Sequence, residues 1–161
     1  MDKFDPDTAS VDYLVGGMPC DPDLIEPLGQ ISWAAIRFNA GLRDHLLNYT
    51  GTTVNPYKWT LGEAVRRLRD FSVGADDTEM VAWIDEIARP AIRARNTVVH
   101  ATPYTAADGK QAIGANDAGQ LGRLMAGQLR AIAARLVHAS STMPSRDMVW
   151  ARRPQDEDAA E

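Results

Sequence analysis

The chain has 161 residues, an apolar content of 45%, a charged content of 24% and a net charge of −5. These values are typical of one globular domain, and the length suffices to bury a core without disulfides. The single cysteine excludes an intramolecular disulfide, and the chain has neither an apolar run long enough for a membrane span nor a signal-peptide core. We therefore expect a cytoplasmic protein without a membrane segment.

The negative charge is concentrated at the two ends of the chain. Residues 1–26 hold seven acidic residues and one lysine, and residues 151–161 hold four acidic residues and two arginines. The body between them, residues 27–150, holds 14 basic and 11 acidic residues. A modest basic patch on the body is therefore compatible with the sequence, but a strongly basic nucleic-acid groove is not indicated.

The first helix is predicted to follow an acidic loop or docked arm over residues 1–25, which is rich in proline and glycine. This helix would begin at residue 26 or 27 and end at residue 48. Its apolar residues recur at steps of three or four, which indicates a core-facing stripe. The stripe consists of Leu28, Ile31, Ala35, Phe38, Leu42, Leu46 and Tyr49. Polar residues beside it are expected to face solvent, namely Asn39, Arg43, Asp44 and His45.

A second helix is predicted over residues 61–71, because Thr60 and Glu63 have the spacing of a capping box. Its arginines, Arg66, Arg67 and Arg69, are expected to point outward, with Arg67 paired to Glu63 and Arg66 paired to Asp70. A third helix is predicted to follow a cap at Asp76 or Asp77. Pro90 predicts a kink or break in this helix near residues 87–89, because proline removes a backbone donor and crowds the preceding turn.

The remaining elements are a short hairpin and a final helix. Asp108-Gly109 predicts a hairpin near residues 103–114. The final helix is predicted over residues 118–139, capped by Asn116 or Asp117, and the tail 141–161 is predicted to be mobile. The pattern as a whole predicts an all-α up-and-down bundle of four to five helices over residues 26–140. Its buried core should include Phe38, Leu42, Leu68, Ile84 and Ile132.

The residues with the most chemical potential lie near the end of the third helix. Arg93, Arg95, Asn96 and His100 precede the helix breaker Pro103. Histidine can transfer protons near neutral pH, and the arginine guanidinium matches a phosphate. Asn96 and His100 share one face of a regular helix, whereas Arg95 lies about 140° from His100. The alternative interpretation is structural, with His100 satisfying the last carbonyls of the helix and the arginines solvated.

The spacing Arg95-Asn96-x-x-x-His100 resembles the signature of the HEPN superfamily of small helical nucleases and nuclease-like proteins. The resemblance implies a metal-independent endoribonuclease without a cofactor, such as a toxin of a toxin–antitoxin pair or a defence effector. It implies Arg95, Asn96 and His100 as catalytic residues and Arg93 as a substrate-binding residue. It also implies a homodimer, because in such families two motif helices face one another across the active site.

Two other interpretations remain open from the sequence. The chain could be a catalytically silent HEPN-like helical module that binds a protein partner, such as an antitoxin, or a nucleotide. It could also be an unrelated helical protein whose Arg95 and His100 are structural. The sequence contains no glycine-rich phosphate loop, paired-cysteine metal site or His-Glu-x-x-His motif, so no metal site is predicted. The RNA target and the partner cannot be named from the sequence.

Overall fold

The first helix, α1 (Pro22–Thr50), is 29 residues long and begins earlier than the apolar periodicity predicted. Asp21 is its N-cap, and its side chain accepts a hydrogen bond from the backbone N–H of Asp23 at 3.0 Å. Pro22 occupies the first turn, where its missing N–H costs nothing. The expectation that residues 21–25 are a loop or arm is therefore wrong, because this cap and the proline start the helix there.

The structure is a computed structural model that describes residues 21–51, 55–117 and 120–144. The expected arm over residues 1–20 and the tail over residues 145–161 lie outside the described residues. A short 3₁₀ turn (Pro56–Lys58) follows α1. The elements after it are α2 (Leu61–Gly74), α3 (Thr78–Trp83), a π-helical turn (Ile84–Ala88), α4 (Arg89–Val99), β1 (Thr102–Thr105), β2 (Gln111–Asp117), β3 (Gln120–Arg123) and α5 (Ala126–Ser141). The described chain is thus mostly helical, with one small sheet.

The apolar stripes form the core that the sequence predicted, with one exception. Phe38, Leu42, Leu68 and Ile84 are fully buried. Ile132 is only partly buried, so its assignment as a full core residue is wrong; the buried positions of its helix are Leu129, Ala133, Leu136 and Ala139. Burying large apolar side chains is the main favourable contribution to folding. The stripes are therefore sufficient to explain why these helices pack together.

Helix α5 runs along α1 in the same direction. Arg130, near the start of α5, lies 3.8 Å from the carboxylate of Asp23 near the start of α1. Farther along, Met143 packs so closely over Gly41 that a Cβ at this glycine would lie 3.3 Å from the methionine Cε. The strands that precede α5 return the chain to the start of α1. The first and last described helices are therefore parallel neighbours.

The backbone irregularity that Pro90 predicted is a π-helical turn over Ile84–Ala88. Pro90 has no N–H to donate, so the preceding carbonyls cannot form a continuous α-helical ladder. The N–H of Arg89 donates instead to the carbonyl of Ile84, five residues earlier. The regular helix α4 begins directly after this wider turn.

The predicted hairpin is present, and a third strand extends it. Strands β1 and β2 pair antiparallel, with Gly109 at a φ of 78° in the turn between them. Strand β3 then pairs antiparallel with β2. The prediction of a helix from residue 118, capped by Asn116 or Asp117, is wrong, because both residues belong to β2 and α5 starts at Ala126. Asn and Asp favour turns as well as helix caps, so the local signal does not distinguish the two.

A charged cluster links α2 to the π-helical turn. Asp85 accepts hydrogen bonds from Arg69 at 3.0 Å and from Arg89 at 2.6 Å. The hydrogen bond from Arg69 and the attraction of both guanidinium groups hold the pKa of the Asp85 carboxyl below its usual value, although partial desolvation opposes them. Arg69 was expected to point outward into solvent, but its guanidinium instead binds Asp85 in the π-helical turn. Arg66 and Arg67 form the expected pairs with Asp70 and Glu63.

We predict that Leu42→Ala lowers the free energy of unfolding by roughly 2–5 kcal/mol, because the side chain is fully buried. On the same helix Ile36 is 61% exposed, so Ile36→Ala should change stability by about 0.5 kcal/mol or less. Urea unfolding of both variants measures the difference. Equal losses for the two variants would mean that α1 is rotated differently about its axis.

We also predict that the stabilising contribution of Asp85 depends on pH. Because its pKa is lower in the folded protein than in the unfolded chain, the contribution is present above the unfolded value of about 3.9 and is lost as the pH falls through the folded value. The stability gap between wild type and Asp85→Asn should therefore shrink on acidification from pH 7 to pH 3. Asp70→Asn, in an exposed pair at 3.7 Å, is the control and should show a smaller gap. A gap for Asp85→Asn that is constant with pH would contradict this account.

Candidate functional site

The residues of the predicted motif lie together at the end of α4, but they differ in exposure. Arg95 and Asn96 are half-buried, whereas Arg93 and His100 are exposed. A guanidinium N–H of Arg95 donates to the side-chain oxygen of Asn96 at 3.1 Å. This bond restricts the Arg95 side chain, and it leaves the other guanidinium N–H groups for other acceptors.

Arg95 lies within α4, whereas His100 lies just beyond its end. Helix α4 is regular from Arg89 to Val99, and His100 follows it with φ −100° and ψ 10°. The π-helical turn ends at Ala88, before either residue, so it does not change the angle between their side chains. Two residues five apart on a regular helix point about 140° apart, and His100 lies just past the end of this regular part.

His100 stabilises the end of α4 through its backbone N–H and not through its side chain. Its N–H donates to the carbonyl of Asn96 at 3.0 Å and so closes the last turn of α4. Within the described ranges, its imidazole forms neither a hydrogen bond nor an ion pair. The exposed ring is therefore not required to satisfy the helix end, and it is accessible for a proton transfer.

The end of α4 is a local concentration of positive charge. Residues 87–107 contain three arginines and His100 but no acidic residue. Arg89 is paired with Asp85. In contrast, Arg93 and Arg95 have no acidic partner among the residues that the structure describes. Cations without a neighbouring carboxylate produce a field that attracts an anionic ligand such as a phosphate.

A groove of about 290 Å³ lies between α1 and the end of α4, and Arg95 is at its edge. Its apolar lining includes Leu28, Ile31, Ala35, Leu61 and Val98, and Ser32 and Asn39 contribute polar groups. Arg95 is the one charged residue among the described residues of this lining. Two exposed apolar side chains, Ile36 and Val99, also border the groove, with exposures of 61% and 52%.

The polar face predicted on α1 is partly buried, which corrects the expectation of a solvated face. Arg43 is 7% exposed and His45 is 2% exposed. Arg43 donates from Nε to Asn39 at 3.0 Å, from one terminal nitrogen to the carbonyl of Pro56, and from the other to the carbonyl of Trp59 at 3.0 Å. The buried charge thus has three acceptors, and it holds Pro56 and Trp59 beside α1.

This loop carries two aromatic side chains, each stacked on an arginine. The guanidinium carbon of Arg43 lies 5.0 Å from the centre of the Tyr57 ring. That of Arg67 lies 4.3 Å from the centre of the Trp59 ring. Tyr57 is 66% exposed, whereas Trp59 is half-buried and packs against the core. The sequence reasoning missed this arrangement, and the alternation Tyr57-Lys58-Trp59 was the signal that could have indicated it.

The described residues contain no group of three or more His, Cys, Asp or Glu side chains placed to hold a metal ion. None of the described helices is long and apolar enough to cross a membrane. Two of the three histidines, His45 and His138, lie on α1 and α5, away from the motif on α4. The candidate site therefore consists of Arg95, which lines the groove, Asn96, which binds Arg95, and His100, which follows at the end of α4.

Comparison with known proteins gives no further assignment. No family model matches the chain, and neither a curated protein nor a solved structure matches it. The motif and the geometry of the end of α4 are therefore the basis for the proposed function.

Proposed function

We propose that the chain is a metal-independent endoribonuclease of HEPN type, acting as a toxin or a defence effector in the cytoplasm. The observation that carries this proposal is the end of α4. There a restrained arginine without an acidic partner and an exposed histidine without a structural task lie within one turn and a half of helix. This combination of a phosphate-binding cation and a proton-transfer group fits phosphodiester cleavage.

The proposed active site is shared by two chains of a homodimer. Because residues five apart on a regular helix point about 140° apart, we do not expect a single chain to bring Arg95 and His100 to one phosphate. In the proposed dimer, a two-fold axis sets two α4 helices side by side so that Arg95 of each chain meets His100 of its partner. The exposed Val99 beside the motif belongs to the apolar surface that such a contact would cover.

The proposed chemistry is a transesterification within the RNA. His100 of one chain removes the proton from a ribose 2′-OH, and the 2′ oxygen attacks the adjacent phosphorus. The bond from phosphorus to the 5′ oxygen breaks, and the imidazolium formed on the same His100 returns its proton to the leaving oxygen. Arg95 stabilises the charge that develops on the phosphate, and Asn96 orients Arg95. Arg93 is a weaker phosphate contact. The products are a 2′,3′-cyclic phosphate and a 5′-hydroxyl.

A second candidate is a catalytically silent module that binds a protein partner, such as an antitoxin, or a nucleotide. The apolar lining of the groove favours this candidate, because amphipathic helices dock into grooves of this kind. In this case Arg95 at the edge would pair with a carboxylate or phosphate of the ligand. The two candidates differ in one measurable property, which is cleavage of RNA by the purified protein.

We predict that the wild-type protein is a homodimer that Val99→Glu weakens, because the substitution places a charge in the proposed contact. Val73→Glu is a matched control, since Val73 on α2 is also 52% exposed. Light scattering at high micromolar concentration, without RNA, measures both variants and the wild type. A wild-type monomer under these conditions would contradict the shared site.

We predict that His100→Ala reduces RNA cleavage by roughly 10²–10⁴-fold while the protein stays folded, because the variant lacks the proton-transfer group. Arg95→Ala should have a comparable effect through the loss of phosphate stabilisation. His138→Ala, which removes an exposed histidine of α5, is the matched control and should retain activity.

The assay uses total RNA and transfer RNA, with and without EDTA, together with thermal melts of each protein. Cleavage should persist in EDTA and yield 2′,3′-cyclic phosphate ends. No cleavage by the wild type under any condition would favour the silent binding module. Equal cleavage by wild type and His100→Ala would show that the assigned catalytic residue is wrong.

A further inference from the structure

The loop after α1 presents an exposed aromatic ring, Tyr57, beside two cations, Arg43 and Lys58. Residues 45–62 contain no acidic residue. Lys58 is exposed beside Tyr57, and the nearest following acid, Glu63, is occupied by Arg67 at 3.1 Å. An exposed aromatic ring among cations is the combination that proteins use to stack the bases of single-stranded nucleic acids.

The Arg43 guanidinium supports one face of the Tyr57 ring. Arg43 is buried and bound to the carbonyls of Pro56 and Trp59, which flank Tyr57 closely on both sides. Its guanidinium supports the tyrosine ring at 5.0 Å. The ring therefore needs little ordering on binding, and this lowers the entropic cost of stacking. With 66% of the residue exposed, a base has access to it.

The aromatic loop is continuous with the groove beside Arg95. Asn39 lines the groove and also accepts the hydrogen bond from Nε of Arg43. On the other side, Leu61 lines the groove only two residues after Trp59. A chain that passes the Arg95 groove and continues along α1 thus reaches Tyr57 within about one helical turn of Asn39.

We propose that Tyr57, backed by Arg43 and flanked by Lys58, is a base-stacking subsite for single-stranded RNA that extends the Arg95 groove. This inference rests on the proposed ribonuclease function, because it names the substrate class of the same site. The subsite holds a nucleotide near the scissile phosphate, so it contributes to binding and takes no part in proton transfer. Double-stranded RNA, whose bases are already stacked, gains little from it.

The test is binding of labelled single-stranded and duplex oligoribonucleotides, measured by fluorescence anisotropy at fixed salt with wild type and His100→Ala. Tyr57→Ala and Tyr57→Leu should each weaken binding of the single strand by roughly 5- to 150-fold, the usual range for a stacked base. Leucine still covers the Arg43 guanidinium, so its loss of binding cannot be ascribed to an unfolded loop. Tyr57→Phe keeps the ring and should bind as the wild type does.

Trp33→Ala is the matched control, because Trp33 is 65% exposed on another part of α1 and should not affect binding. Unchanged single-strand affinity in Tyr57→Ala, an equal loss in Trp33→Ala, or no RNA binding by any protein would overturn the proposal. Binding through Tyr57 without cleavage would refute the nuclease and leave the subsite. Cleavage by the wild type with equal KM in Tyr57→Ala would refute the subsite and leave the nuclease.

Discussion

The structure depends on α1, a single helix of about 43 Å that supplies one continuous apolar stripe. Helices α2 and α5 pack along it, and Trp83 of α3 meets Phe38 edge to face at 6.0 Å between ring centres. The gap between the first half of α1 and the end of α4 is the groove that borders Arg95. The position of the candidate site thus follows from the packing of the core.

Arg43 connects this core to the segment after α1 that carries Tyr57, through hydrogen bonds to Pro56 and Trp59. A buried guanidinium is costly unless its donors are satisfied, and here a side-chain oxygen and two carbonyls satisfy them. The same bonds hold Pro56 and Trp59 against α1 and direct the chain into α2, whose first residue, Leu61, lines the groove. One interaction therefore sets both the exposed aromatic ring and one wall of the groove.

The sequence was informative where one physical signal dominated. The stripe of α1 predicted the burial of Phe38 and Leu42, and Thr60 and Asp77 cap the helices that follow them. It failed where the deciding contacts are distant in the sequence. Arg43 lies off the stripe and was expected to be solvated, because the backbone carbonyls that accept its hydrogen bonds are 13 and 16 residues away. The sequence placed Arg95 and His100 near one helix end, but it could not show the groove, since that surface depends on packing between distant segments.

The central claim is that Arg95 of one chain acts with His100 of its partner. Subunit complementation tests this claim most directly: Arg95→Ala and His100→Ala proteins, each inactive alone, are mixed and allowed to exchange subunits, with mixed dimers verified by two affinity tags. A two-fold shared site predicts that cleavage returns, because the mixed dimer holds one intact Arg95 opposite one intact His100. A mixture that forms mixed dimers and remains as inactive as its components would contradict the account.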